Sequence, residues 1–218
     1  MIKLIDITKK YGDKTVYEKF NLSLDEKKVT VILGESGAGK TTLLNIMASI
    51  TDFSGEIQGL PRESRVSFVF QKDRLVPNLT VRENLLLTSE NADVASALAK
   101  TGLSECENKY PSELSAGMAR RVAILRAFLF DSPVILMDEP FINLDPALKY
   151  SIMDMFLDMQ RQTGRTAVSV THDVNEAIYI ADRIIVISGG RVVYDNPEVT
   201  EADEKKILAV LLKTGKTS

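Results

Sequence analysis

Apolar and polar residues along this chain follow two periods in turn. The opening Ile2-Lys3-Leu4-Ile5-Asp6-Ile7 changes character as a half-buried strand does, whereas Val29-Thr30-Val31-Ile32-Leu33 and Val134-Ile135-Leu136-Met137 are short apolar runs of the kind that fills the middle of a sheet. Thr166 to Val170 and Val66 to Phe70 also read as strands, the latter ending on Gln71. Helical spacing is found in Thr41 to Ile50, Val81 to Thr88, Asp93 to Lys100, a run beginning near Ser115, Pro146 to Gln162 and a short stretch through Ala181. The tail from Glu201 to Lys213 is predicted to be an amphipathic helix.

Strands alternating with helices predict an α/β domain with a mostly parallel sheet. Two segments depart from that rule. Ile2 to Leu24 reads as antiparallel strands turning at Tyr11-Gly12-Asp13-Lys14, and Arg183 to Tyr194 as a hairpin turned by Ser188-Gly189-Gly190. From Thr80 to about Phe130 the texture is helical throughout. One domain, 1–218, is therefore expected, with 1–77 and 130–218 forming the core around an N-terminal antiparallel β part, and 78–129 inserted as an α-helical subdomain.

At 218 residues the chain is long enough for a sizeable core. With Lys+Arg 27 against Asp+Glu 30, the net charge of -3 provides no basic field to recruit nucleic acid or an acidic lipid surface. The one cysteine, Cys106, cannot pair within the chain, and its setting in Ser-Glu-Cys-Glu-Asn reads as an exposed thiol in a reducing compartment. No signal-like leader and no run of about 18 apolar residues occur, so the expectation is a cytosolic chain without a membrane span.

The candidate chemistry starts at residues 34–42: Gly34, Glu35, Ser36, Gly37, Ala38, Gly39, Lys40, Thr41 and Thr42 match G-x-x-x-x-G-K-[ST] directly after a strand. Glycines there let successive N–H groups point at one phosphate, and the helix that follows adds the positive end of its dipole. Lys40 is placed to reach the β- and γ-phosphates, Thr41 to put its hydroxyl on a Mg²⁺ ion, and Thr42 to extend the cradle. This predicts the core of a P-loop NTPase.

Asp138 and Glu139 end the apolar strand 134–137, at the edge of an α/β sheet where ligands bind. Asp138 suits the Mg²⁺ shell, and Glu139 can orient and deprotonate an attacking water. Carboxylates followed by Pro140 are also ordinary exits from a sheet, so the pair gains its meaning from the phosphate loop.

Five elements in order now carry a family resemblance: the phosphate loop, Gln71, Leu114-Ser115-Ala116-Gly117-Met118, Asp138-Glu139-Pro140 and His172. The chain resembles, from end to end, the ATP-binding subunit of an ABC transporter. The resemblance implies that Tyr11 stacks on adenine, that Gln71 touches Mg²⁺ or the water near the γ-phosphate, and that His172 bonds the γ-phosphate. It implies further that Ser115 and the N–H groups at Gly117 act in trans, on ATP held by a second copy in a head-to-tail dimer. Ser115 is equally suited to cap a helix, and so is Asp145, which the resemblance places at the dimer seam.

Ala116 and Met118 depart from the usual Leu-Ser-Gly-Gly-Gln, and a methyl at 116 is expected to strain the turn or slow closure. Implied partners are a second copy, a separate membrane permease at the cytoplasmic face of the membrane and, through it, a solute-binding protein. The stretch from Gln71 to Asn84 and Asp138 to Phe141 resembles the nitrate, sulfonate, taurine and thiamine-precursor importer ATPases. Catalysis then rests on Lys40, Gln71, Glu139 and His172, with ATP and Mg²⁺ bound. Two other readings stand beside it: an ATP-gated module that scarcely hydrolyses, and a soluble phosphate-loop kinase or switch.

Overall fold

A computed structural model describes residues 1–60 and 66–214. Two sheets organise them. The smaller is antiparallel, in the order β2-β1-β4, from β1 (Ile2–Tyr11), β2 (Lys14–Leu24) and β4 (Ser54–Gln58). The larger has six strands in the order β5-β6-β7-β3-β8-β9. Its members are β3 (Val29–Leu33), β5 (Ser67–Val69), β6 (Val134–Asp138), β7 (Thr166–Thr171), β8 (Arg183–Ser188) and β9 (Arg191–Asn196). All pairs are parallel except β8 with β9, which form the hairpin turned by Gly189 and Gly190.

β3, β6 and β7 are buried at every position, as strands covered on both faces must be. Around them pack α1 (Lys40–Met47), α4 (Ala116–Leu129), α5 (Pro146–Thr163), α6 (Val174–Ile180) and α7 (Glu204–Thr214). One core lies between the two sheets, where Tyr17, Phe20 and Leu24 meet α1 through Leu43, Leu44 and Met47. A second, on the far face, joins Phe128 of α4, Phe156 of α5 and Ala177 of α6 to β3 and β6. A third is wholly helical: Val81 and Leu85 of α2 (Val81–Leu86), Val94 and Leu98 of α3 (Val94–Lys100), and Val122 and Leu125 of α4.

Local signals explain the helix ends. Thr80 and Glu83 form a reciprocal cap at the start of α2, and Asp145 accepts from the Leu148 N–H at the start of α5, with Pro146 as first residue. Gly164 ends α5 with φ 60, a left-handed conformation that glycine adopts without penalty.

Two departures from the sequence reading stand out. Cys106 is not an exposed thiol: it is buried in the helical core, because Leu103 and a short 3-10 turn, Ser104–Cys106, fold it inward while its acidic neighbours stay outside. β4 went unforeseen, since an edge strand with mostly exposed residues shows neither alternation nor an apolar run. Ala116 is an exposed first residue of α4 and is not among the described residues with positive φ.

Candidate functional site

The phosphate loop leaves β3 at Leu33 and enters α1 at Lys40. Gly37 and Gly39 have φ 82 and φ 98, conformations an L side chain avoids, and they let the backbone wrap inward above the helix N-terminus. Gly34 is needed for a different reason: a Cβ there would sit 2.4 Å from the Ile187 carbonyl oxygen of β8. The Lys40 ammonium donates to the carbonyls of Gly34 (2.7 Å) and Glu35 (3.0 Å), spanning the loop it belongs to. Burial lowers its pKa, while the carboxylates of Glu139 and Asp138 pull the other way.

A second hold on the loop comes from the antiparallel sheet. The buried phenol of Tyr17 on β2 donates to the Gly39 carbonyl at 2.9 Å, and burial pushes its pKa above the usual phenol range. The carbonyl that starts α1 is therefore fixed from outside the loop.

Thr41 Oγ1 donates to Asp138 Oδ1 at 2.9 Å, so two hard oxygen donors meet beside the loop. Burial raises the Asp138 pKa, with Glu139 adding to the rise and Thr41 and Lys40 opposing it. Among the described residues no cluster of three His, Cys, Asp or Glu forms a metal cage. One carboxylate and one hydroxyl fit Mg²⁺, which keeps several waters and takes its other ligands from phosphate.

Glu139 has φ 46, and its N–H donates to the Val170 carbonyl at 3.0 Å, continuing the β6–β7 ladder one residue past the strand. This sharp exit turns its carboxylate toward His172, whose Nδ1 lies 3.0 and 2.9 Å from the two oxygens. An ionised Glu139 requires a proton on His172 Nδ1; Nε2 then accepts in the neutral ring and donates only when it too carries a proton. Behind the pair, the Thr171 hydroxyl donates to the buried Glu176 at 2.7 Å, and Glu176 is ion-paired with Lys149 of α5 at 2.7 Å.

These groups border one cavity of about 600 Å³. Tyr11, Ser36, Gly37, Gly39, Lys40, Thr41, Thr42, Gln71, Glu139 and His172 all line it. Gly34, Glu35 and Ala38 lie in the same loop, and Asp138 stands behind Thr41. Tyr11, about half exposed, carries the Lys9 ammonium 4.5 Å from its ring centroid.

Ser115 and Gly117 do not border this cavity. Ser115 caps α4, accepting from the Met118 N–H at 3.3 Å. Gly117 is buried against α5: a Cβ there would come 2.2 Å from Leu148 Cδ2.

Sequence reasoning missed Lys14, Val16 and Ile142, which also line the cavity, and the supporting Tyr17, Arg120, Lys149 and Glu176. Arg120 had a usable signal, since it interrupts the apolar stripe Gly117, Ile124, Ala127, Phe128 of α4. Tyr17 had none, because its partner Gly39 lies far off in sequence, and Glu176 reads as an ordinary acid in the first turn of a short helix.

A phosphate loop after a central strand, with an acid set against its threonine from a parallel strand separated from it by β7, defines a phosphate-loop nucleoside triphosphatase. The family model described as ABC transporter matches residues 17–142, and the chain belongs to that family as an ATP-binding cassette ATPase. A model described as AAA domain, putative AbiEii toxin, Type IV TA system matches the shorter stretch 107–178.

The aliphatic sulfonates import ATP-binding protein of Pseudomonas syringae pv. tomato is 37% identical over 196 residues, covering 87% of this chain and 84% of that protein. The thiamine import ATP-binding protein of Brucella suis biovar 1 is 34% identical over 214 residues, covering 90% and 88%. A dimeric bacterial ABC transporter cassette superposes with TM-score 0.78 at 31% identity, covering 92% of this chain and 99% of that one. The same scores hold for a dimeric cassette in a post-hydrolysis state bound to ADP and Pi. Among the described residues no helix is long and apolar enough to cross a membrane.

Proposed function

We propose that this chain energises the import of a small solute through a separate membrane permease, by closing as an ATP-bound dimer and reopening after hydrolysis. Residues 78–129 act as the helical subdomain within the domain 1–218. The observation that carries this reading is the split location of the motifs. Lys40, Thr41, Glu139 and His172 share a cavity with Gln71, while Ser115, the motif that sets this family apart, caps a helix outside it. A site so divided needs a second copy to supply Ser115 and the Gly117 backbone.

In this scheme Tyr11 stacks on the adenine and the loop 34–42 holds the phosphates through backbone N–H groups. Lys40 leaves its two carbonyl partners for the β- and γ-phosphates. Thr41, Asp138 and Gln71 hold Mg²⁺, which neutralises charge on the phosphate oxygens when bound. Glu139 aims a water in line, and His172, with a proton on each ring nitrogen, donates from Nε2–H to the γ-phosphoryl oxygens while its Nδ1–H steadies Glu139.

The relatives named as sulfonate and thiamine importers support a small polar cargo, with a solute-binding protein delivering it to the permease. The chain works at the cytoplasmic face of the membrane. Purified protein with Mg-ATP should release phosphate, and Glu139→Gln should lower turnover by about 100-fold or more while an ATP-bound dimer accumulates on size-exclusion chromatography. Equal rates for the two proteins would refute the role of Glu139.

A further inference from the structure

Residues 70–74 leave β5 and cross to the helical part without strand partners, so their carbonyls must find donors elsewhere. Two arginines of α4 provide them. Arg120, almost wholly buried, donates from Nη1 to the Phe70 carbonyl at 2.8 Å and from Nη2 to the Gln71 carbonyl, and its Nε lies 3.1 Å from Asp73 Oδ1. Arg126 donates to the carbonyls of Asp73 and Arg74, each at 3.1 Å. Four carbonyls in a span of five residues are thus held by one helix. Burial raises the Asp73 pKa and lowers those of both arginines, so this cluster is kept despite a desolvation cost.

Arg120 touches no cavity wall, yet the residue whose carbonyl it grips does line the cavity. At the N-terminus of the same helix, little more than one turn away, stands Ser115. We propose that Arg120 is a positioning residue that latches the Gln71 loop to α4, so that Gln71 in one site and Ser115 aimed at the partner's site shift as one rigid piece. A flat guanidinium fork presents donors at fixed separations, so Arg120 spans two adjacent carbonyls while its Nε faces Asp73, whereas a lysine would have to draw all three groups onto one nitrogen. A tilt of α4 that withdraws Ser115 from the partner's site then pulls Gln71 from its place in its own site, and the contact in each site is made or broken in one event. This rests on the reading of Gln71 and Ser115 given above.

The test is a double-mutant cycle on the full chain, with kcat and KM for Mg-ATP and the thermal midpoint measured for each protein. Gln71→Ala should lower kcat. Arg120→Gln should lower kcat roughly tenfold with KM little changed, and Arg120→Lys should recover only part of that loss. In the Gln71→Ala background, Arg120→Gln should cost less than about twofold more, because the residue it positions is gone.

Losses that multiply independently would overturn the latch while leaving the role of Gln71 intact. Parental kcat in Gln71→Ala would refute that role, and a drop in Arg120→Gln alongside it would show that Arg120 does not act through Gln71. If Arg120→Gln does not fold, Asp73→Asn, which loosens the same guanidinium, replaces it in the cycle and must show the same non-additivity for the proposal to stand.

Discussion

Replacing Gly39 with alanine perturbs the phosphate loop by one methyl group, and the structure sets the size of the penalty. The residue sits at φ 98 and ψ 3, where a Cβ crowds its own carbonyl, at roughly 1–2 kcal/mol. That Cβ would also stand 2.8 Å from both Tyr17 Oη and Val16 Cγ1, well inside normal contact. Tyr17 is fully buried and cannot swing aside, so overpacking adds about 1–3 kcal/mol. The sum is a loss of about 2–5 kcal/mol with no compensating gain. At about 2–4 °C per kcal/mol for a chain of this length, the melting midpoint of Gly39→Ala should fall by at least about 4 °C. Chemical denaturation should give the same loss with an unchanged m-value. The upward shift of the midpoint on adding Mg-ATP should shrink as well, since a displaced loop binds the folded state less tightly. A midpoint within about 1 °C of the parent would refute the claim that glycine is required here by conformation and space.

Two further outcomes follow from burial. Folding raises the Asp138 pKa, so the contribution of this carboxyl to stability is greatest below the ordinary carboxylate range and is lost as pH rises through the raised value. Near neutral pH the nucleotide-free Asp138→Asn protein should therefore melt higher than the parent, yet gain less from Mg-ATP; a lower midpoint at pH 7 would contradict this. Cys106 is enclosed by the helical core, so an aromatic disulfide reagent should modify it only after unfolding, in step with the denaturation curve, and rapid labelling of the native protein would disprove its burial.

What could be seen in the sequence depended on how local the physical cause was. β3, β6 and β7 were plain because strands covered on both faces must be apolar throughout, and the phosphate loop was plain because its chemistry is compressed into nine consecutive residues. α5 declared its start through Asp145 and Pro146. β4 stayed hidden because it gains its place by pairing with β1, far back in the sequence, rather than by burying side chains. Cys106 misled because its polar neighbours outweighed Leu103 in the local pattern. At the site, Glu139 and His172 were found separately, but their contact depends on a left-handed exit from β6 that no residue type announces. Tyr17 looked like one more strand residue, and only the fold brings its hydroxyl to Gly39.

That last bond has a metrical consequence. Tyr11 and Tyr17 stand on two strands hydrogen-bonded to each other, and the second is bolted to the carbonyl at the root of the phosphate loop. The backbone that carries the Tyr11 ring is thereby tied, through β2, to the phosphate loop. If Tyr11 stacks on the base as proposed, a ligand held at both ends would have to carry its ring and its charged tail at a matching separation, and length would then become a criterion of selection.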